Sequence, residues 1–385
     1  MHRLRPLIYA AFLAASWTWC IGMYLPVLLL RDYGPWSFLV FAIPNCLGAA
    51  AMGVFLWRPA ASQRFLANHY PACRAFSFVT ILFQMWFTLS LIEPYAPKLG
   101  LTIGLAAVVG LILGIFAVRP SLTFRAGGSL AAFACSIALG AWWLSNAGRS
   151  VPPPLPVPLH SPADLAALAP VCVFGFALSP YLDLTFHAAR QSVQGPAGSR
   201  TFLVAFLVLF PAMIVLTFLY ARHALAIDPV HPFAALAPPI LAHVILQASF
   251  TTVIHGPGLR PDPTDKSRRI PVLASFAVAI PPALATILSM LPPDLSYKGL
   301  APFELIYRAF MAFYALVFPS YVLIACVGAD GFRGPPSRRT LLTFALAVAA
   351  AAPCFWLGFI ERQPLFLLPG VLIPFLARAT ISVPK

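Results

Sequence analysis

The chain is 385 residues long, 60% hydrophobic and only 9% charged, with a mean hydropathy of +0.86. Soluble domains carry about 45–50% apolar and about 25% charged residues, so a water-soluble protein is excluded. The net charge of +14, from 25 Lys and Arg against 11 Asp and Glu, has no aromatic-interleaved basic run to suit a nucleic acid, and that class of partner is excluded as well. The seven cysteines stand singly with no CxxC pair, a pattern that suggests neither a disulfide framework nor a zinc site.

From the N-terminus, Met1-His2-Arg3-Leu4-Arg5 leads into 24 uncharged residues, Leu7 to Leu30. A cleavable signal has an apolar core of only about 7–15 residues, so this reads as a retained first span. A spanning helix needs roughly 17–25 mostly apolar residues. Uncharged runs predict twelve, at 7–30, 37–57, 75–92, 99–118, 127–146, 165–186, 201–221, 233–254, 270–291, 303–327, 340–360 and 364–382. Little remains for an extramembrane domain. The longest connection, Ala147 to Asp164, holds the proline-rich run from Val151 to Pro158, which favours a stiff extended conformer. Gly110 and Gly114 form a GxxxG in the fourth span, a site for close internal helix packing. Trp36, Trp57, Trp142 and Trp143 sit near span ends as interfacial anchors. The twelfth span is the weakest, since Arg378 must snorkel to the surface.

With Met1 in the cytoplasm, alternate connections hold eighteen basic residues inside, against six outside: Arg31, Lys98, Arg149, Arg222, Lys298 and Arg362. Basic residues near spans are retained inside, which puts both termini in the cytoplasm of a multi-pass protein of the cell's inner membrane.

Polar groups at depth cost several kcal/mol unless paired, and they mark function. Span six reads Phe174-Gly175-Phe176-Ala177-Leu178-Ser179-Pro180-Tyr181-Leu182-Asp183, with His187 four residues beyond Asp183. Gly and Pro there free backbone groups, and Ser179, Tyr181 and Asp183 stand where a ligand or ion would replace the lost bonds. The structural alternative is a Pro180 kink with Asp183 paired to His187 or Arg190. Span one is interrupted similarly around Cys20, Gly22, Met23 and Pro26. Two interrupted helices in corresponding places point to a transport site, with a polar cleft between them. Span eight carries His243, Gln247 and Thr251 at intervals of four, with Thr252 adjacent, and span three carries Thr80, Gln84 and Thr88; interhelical hydrogen bonding explains both stripes equally well. Asn45, after Pro44 in span two, is placed to bond carbonyls that the proline frees. Glu304 with Arg308, and Arg31 with Asp32, read as two interfacial ion pairs. No Walker loop, GxSxG or HExxH occurs, so nothing announces an enzyme.

Spans one and six each open a block of five, and an odd block inverts its successor. This five plus five plus two plan, with breaks in the first helix of each block, resembles the LeuT-like fold of the amino acid-polyamine-cation superfamily, which includes sodium:solute symporters. Ser37-Phe38-Leu39-Val40 and Thr201-Phe202-Leu203-Val204, opening the second helix of each block, echo one another. The resemblance implies an all-α transmembrane bundle of about twelve spans, with blocks at 1–150 and 151–330 and two accessory spans in 331–385. It also implies substrate contacts at Cys20, Gly22 and Met23 and from Gly175 to Tyr181. Thr251 and Thr252 look like the hydroxyl pair by which sodium-coupled relatives hold the ion near the first break. Two bundles of six, as in the major facilitator superfamily, fit the same ends, but that superfamily's signature is missing between spans two and three. The expected function is a secondary transporter of a small solute, with no cofactor and with Na+ or H+ as the candidate coupling ion. The alternatives are a non-catalytic subunit of a membrane complex and a polytopic enzyme acting on lipid-linked substrates. The sequence sets no oligomeric state.

Overall fold

The computed structural model describes residues 4–92, 121–147, 157–193, 195–228, 235–259, 295–328 and 331–382, with a few single positions between them. The spans expected at 99–118, with its GxxxG, and for the most part at 270–291 lie outside the described residues. The rest is a helical bundle: α1 (Arg5–Trp17), α2 (Cys20–Tyr33), α3 (Ser37–Phe55), α4 (Pro59–Ile92), α5 (Leu122–Ala147), α6 (Pro162–Leu178), α7 (Leu184–Ser192), α8 (Gly195–Val204), α9 (Phe210–Ile227), α10 (Pro238–His255), α11 (Pro302–Tyr321), α12 (Arg338–Phe359) and α13 (Leu367–Ser382). Among the described residues eight helical stretches are long and apolar enough to cross a membrane, and the bent pair α1–α2 makes a ninth. The chain is thus a multi-pass membrane protein. α10 lies where span eight was expected, but its polar stripe keeps it out of that set.

Elementary rules set the helix ends. α6 begins with a capping box: the Asp164 amide donates to the Ser161 hydroxyl at 3.3 Å and the Ser161 amide to the Asp164 carboxylate at 3.0 Å, with Pro162 at the first helical position. Ser337 caps α12 in the same way, accepting from the Thr340 amide. π-helical segments at Ala205–Leu209 and Val322–Cys326 interrupt spans seven and ten. Such bulges cluster at functional sites.

α1 and α2 form the axis of the bundle, with every residue from Tyr9 to Trp17 buried. Around them α1 packs on α5 and α8, α2 on α9, α4 on α7 and α10, and α11 on α6. α12 and α13 pair at the periphery, α12 against α11 and α13 against α6. The twelfth stretch is helical, and Arg378 reaches the Val327 carbonyl at 2.8 Å. Val327 belongs to a small hairpin, β1 (Val327–Gly328) paired antiparallel with β2 (Gly331–Phe332). Trp36, Trp57 and Trp142 are exposed as anchors should be. Trp143 is a correction: it is buried, packed edge-on to His223 at 5.6 Å, because its neighbour Trp142 takes the lipid-facing side of the same turn.

α3 and α6 approach so closely that a Cβ on Gly48 would lie 2.2 Å from the Phe176 carbonyl oxygen, whereas a Cβ on Gly175 would meet nothing within 4 Å. Forcing a methyl against backbone displaces a whole helix, which typically costs about 1–3 kcal/mol. Gly48→Ala is therefore expected to lower the thermal unfolding midpoint of the detergent-solubilised protein, and Gly175→Ala to leave it unchanged.

Candidate functional site

Spans one and six are both broken, but beside the expected places: α2 runs unbroken through Gly22 and Pro26, and α6 through Gly175, because packed neighbours absorb the proline and the glycines. α1 and α2 meet at a 55° bend over Thr18 and Trp19. α6 passes through a 3-10 turn, Ser179–Leu182, to the extended Asp183 and then α7. The breaks face each other, with the rings of Trp17 and Phe186 5.0 Å apart.

Backbone groups freed at a break need partners when no water reaches them. At the first break the Cys20 amide donates to Gln84 Oε1 at 2.9 Å, so the α4 stripe caps α2. The Cys20 carbonyl accepts from the Tyr307 hydroxyl at 3.0 Å and the Met23 carbonyl from the Tyr220 hydroxyl at 2.5 Å. The Thr251 hydroxyl comes 3.5 Å from the Thr18 carbonyl, while Thr252 turns to Ala248 of its own helix. The two threonines therefore do not meet the break together. At the second break Asp183 caps α7, accepting from both the amide and the hydroxyl of Thr185 at 2.7 Å.

Four sequence expectations are corrected by these contacts. Asp183 pairs with neither His187 nor Arg190: His187 bonds Ser62 and the Tyr181 carbonyl, each at 2.8 Å, and Arg190 donates to the Leu56, Trp57 and Val193 carbonyls. The extended residue at position 183 breaks the helical register that would have aligned them. Asn45 accepts from the Trp17 indole at 2.6 Å instead of bonding carbonyls near Pro44. The two ion pairs are one network: Arg31 binds Glu304 through both terminal nitrogens, at 2.5 and 2.9 Å, and Asp32 at 3.0 Å, and Arg308 binds Glu304 at 2.7 Å and also Asp32. It joins the C-terminal end of α2 to the N-terminal end of α11 and is nearly buried. Finally, the cleft between the broken spans is apolar instead of polar. It is a narrow cavity of about 40 Å³, lined by Ile21, Leu25 and Leu29 of α2, Leu168, Val171, Cys172, Gly175 and Phe176 of α6, Met311, Tyr314 and Ala315 of α11, and Phe359. Asp32 and Arg308 line only an adjoining space toward the C-terminal end of α2. One turn below Gly175, the hydroxyls of Ser179 and Tyr314 face each other without a bond of ordinary geometry to any described residue.

Of the expected substrate residues, Gly175 and Phe176 line this cleft. The Cys20 and Met23 carbonyls are engaged by neighbouring helices, and Gly22 faces Phe210 at 3.9 Å from its would-be Cβ. Tyr181 packs against the hairpin, its ring 5.3 Å from that of Phe332. Gln247 bonds Ser136 at 2.7 Å across to α5. His243 is buried with neither ring nitrogen hydrogen-bonded to a described residue. Sequence reasoning missed Tyr307 and Tyr314, whose sevenfold spacing with Met311 between them marks one helix face. It also missed His255, the next step of the fourfold stripe from His243 to Thr251, because the predicted span stopped one residue short. Among the described residues no group of His, Cys, Asp and Glu could hold a metal ion. Beyond the spans, His160 stacks on Tyr33 at 4.8 Å, and burial there pushes its imidazole below the ordinary histidine range.

No family model matches the chain, and no curated protein matches it. Among solved structures it is similar to Mhp1, a nucleobase-cation-symport-1 family transporter, in a closed conformation with bromovinylhydantoin bound: TM-score 0.53, 12% identity, 98% of this chain and 91% of that chain. It is also similar to the inward-facing conformation of Mhp1, at TM-score 0.53 and 14% identity over 98% of this chain and 90% of that chain. At such identity the likeness is one of fold, and it supports the LeuT-like resemblance read from the sequence.

Removing one partner from a buried ion-pair network leaves an uncompensated charge, at a cost on the order of 3–5 kcal/mol. Arg308→Met is expected to lower the unfolding midpoint sharply in calorimetry, and adding Asp32→Leu in that background to recover most of the loss.

Proposed function

We propose that this chain is a secondary transporter that moves a small, uncharged solute across the inner membrane by alternating access about its first and sixth spans. The observation that carries the reading is the pair of broken spans whose halves face each other and enclose a cleft. The fold shared with a cation symporter supports it. The cleft walls are aliphatic and aromatic, and its polar group is the hydroxyl of Tyr314, with that of Ser179 beside it. A charged solute would have to be desolvated there without a counter-charge, at prohibitive cost; an apolar solute with one hydrogen-bonding end suits these walls once the helices part to widen the cleft. The Arg31–Asp32–Glu304–Arg308 network closes the outer side by tying α2 to α11, and its opening admits the solute. On the inner side Phe65, Tyr181 and Phe332 form an aromatic layer, with Phe332 5.1 Å from Phe65.

The topology belongs to the same proposal: residues 1–150 and 151–330 as two inverted five-helix blocks, 331–385 as two accessory spans, and both termini in the cytoplasm. The breaks at the first helix of each block and the peripheral pairing of α12 with α13 support this arrangement. The coupling ion is carried by residues of the inner half, with no bound cofactor, and the chain acts as a carrier without catalysing a reaction.

A melting screen of uncharged aromatic and heterocyclic solutes against the detergent-solubilised protein tests the reading. Solutes that raise the unfolding midpoint of the unmodified protein are expected to lose that effect in Gly175→Val, which fills the cleft. A hydrogen bond contributes about 0.5–1.5 kcal/mol, so Tyr314→Phe should weaken binding by roughly 2- to 10-fold. Stabilisation undiminished in Gly175→Val removes the cleft as the site.

A further inference from the structure

We propose that Asp183 and His255 form the site that carries a proton through the transport cycle. The two come from different broken-bundle elements, Asp183 from the interruption of span six and His255 from the inner end of α10. They face each other with Asp183 Oδ2 3.8 Å from His255 Nε2. Both are fully enclosed, at 0% and 2% exposure. Asp183 spends its other oxygen, Oδ1, on capping α7, which leaves Oδ2 without a hydrogen-bond partner among the described residues. His255 Nδ1 meets the Ser77 hydroxyl at 3.3 Å, so Nε2 is the nitrogen turned to the acid. A 3.8 Å separation is too long for a hydrogen bond; the contact stands half made.

The charge balance explains what such a pair does. A carboxylate facing a neutral imidazole carries net charge −1 in a dry interior. Taking up one proton at Nε2 gives imidazolium and carboxylate, net zero, and the new N–H can close on Oδ2. Helix ends favour that state: Asp183 is at the N-terminus of α7, which stabilises an anion, and His255 at the C-terminus of α10, which stabilises a cation. The loaded pair is therefore tolerated in a sealed protein. The unloaded pair leaves an uncompensated buried carboxylate, which needs water or movement of α7 away from α10. Proton loading is thereby tied to the position of the half-helix that follows the solute cleft.

The groups around the pair allow this. Ser77 of α4 meets His255 Nδ1, and Cys73 of α4 and Tyr314 of α11 lie near enough to Asp183 to feel its charge. His187 is on Asp183's own helix but is engaged with Ser62 and Tyr181. The one cation in reach among the described residues is Arg125 of α5, which donates to the Ile254 carbonyl at 3.3 Å and acts on His255. Tyr314, within the field of Asp183, also lines the solute cleft.

The inference rests on the transporter reading, and its test separates the two. The full chain is placed in nanodiscs with 13C-labelled aspartate, and infrared difference spectra are taken between acidic and neutral pH. A labelled-carboxylate change is expected in the unmodified protein, absent in Asp183→Asn and displaced in His255→Gln. Asparagine is itself a good helix cap, so Asp183→Asn keeps the start of α7, and His255→Gln leaves the cap untouched altogether. In proteoliposomes, accumulation of a solute that passes the melting screen should follow an inward proton gradient and be lost in both variants, while equilibrium binding of that solute persists. Superimposable spectra for the unmodified protein and Asp183→Asn overturn the inference, as does accumulation that ignores the proton gradient or survives in His255→Gln. Neither result touches the solute cleft, which stands or falls on Gly175→Val.

Discussion

In a bilayer every backbone amide and carbonyl needs a partner inside the protein, and the whole arrangement follows from how this chain meets that demand at two places where it breaks its own helices. The first break is held by Gln84, Tyr307, Tyr220 and Thr251, one side chain each from α4, α11, α9 and α10. The second is held locally, by Asp183 and Thr185 and by His187 on the Tyr181 carbonyl. The start of α2 is thus held by four surrounding helices, whereas the start of α7 is capped from within and its later turns are tied to α4 by His187 on Ser62 and to the end of α3 by Arg190 on the Leu56 and Trp57 carbonyls.

Electrostatics divide the molecule along the same axis. Two arginines and two carboxylates form a closed, neutral network between α2 and α11. At the start of α7 an acid and an imidazole stand slightly apart. The first is complete and holds two elements together; the second has no hydrogen bond between its members. Between them the cleft is apolar.

Much of the plan was legible before any coordinates. Composition alone required a membrane protein, and among the described residues uncharged runs located most helices to within a few residues because the bilayer makes apolar length a direct readout of a span; α4 begins sixteen residues earlier than its apolar run, at Pro59. Gly and Pro pointed to the two spans that break but not to the breaks themselves, Gly175 marked the open wall, and the fourfold stripe on α10 marked a face turned inward. The stripe even continued to His255, one residue past the predicted end of the span.

What the sequence determined, then, was everything that depends on neighbours along the chain: hydrophobic length, helix interruption, capping at Ser161 and Ser337, and the spacing of polar residues on one helix. Only the tertiary structure decided which of those residues meet. Arg31 and Glu304 are separated by 273 positions, Asp183 belongs to His255 instead of His187, and Asn45 serves the Trp17 indole. Lipid removes the hydrophobic ordering that would sort inward-facing from outward-facing apolar residues in water. Partner choice therefore falls to close packing and hydrogen bonding between distant segments, and no local pattern encodes either.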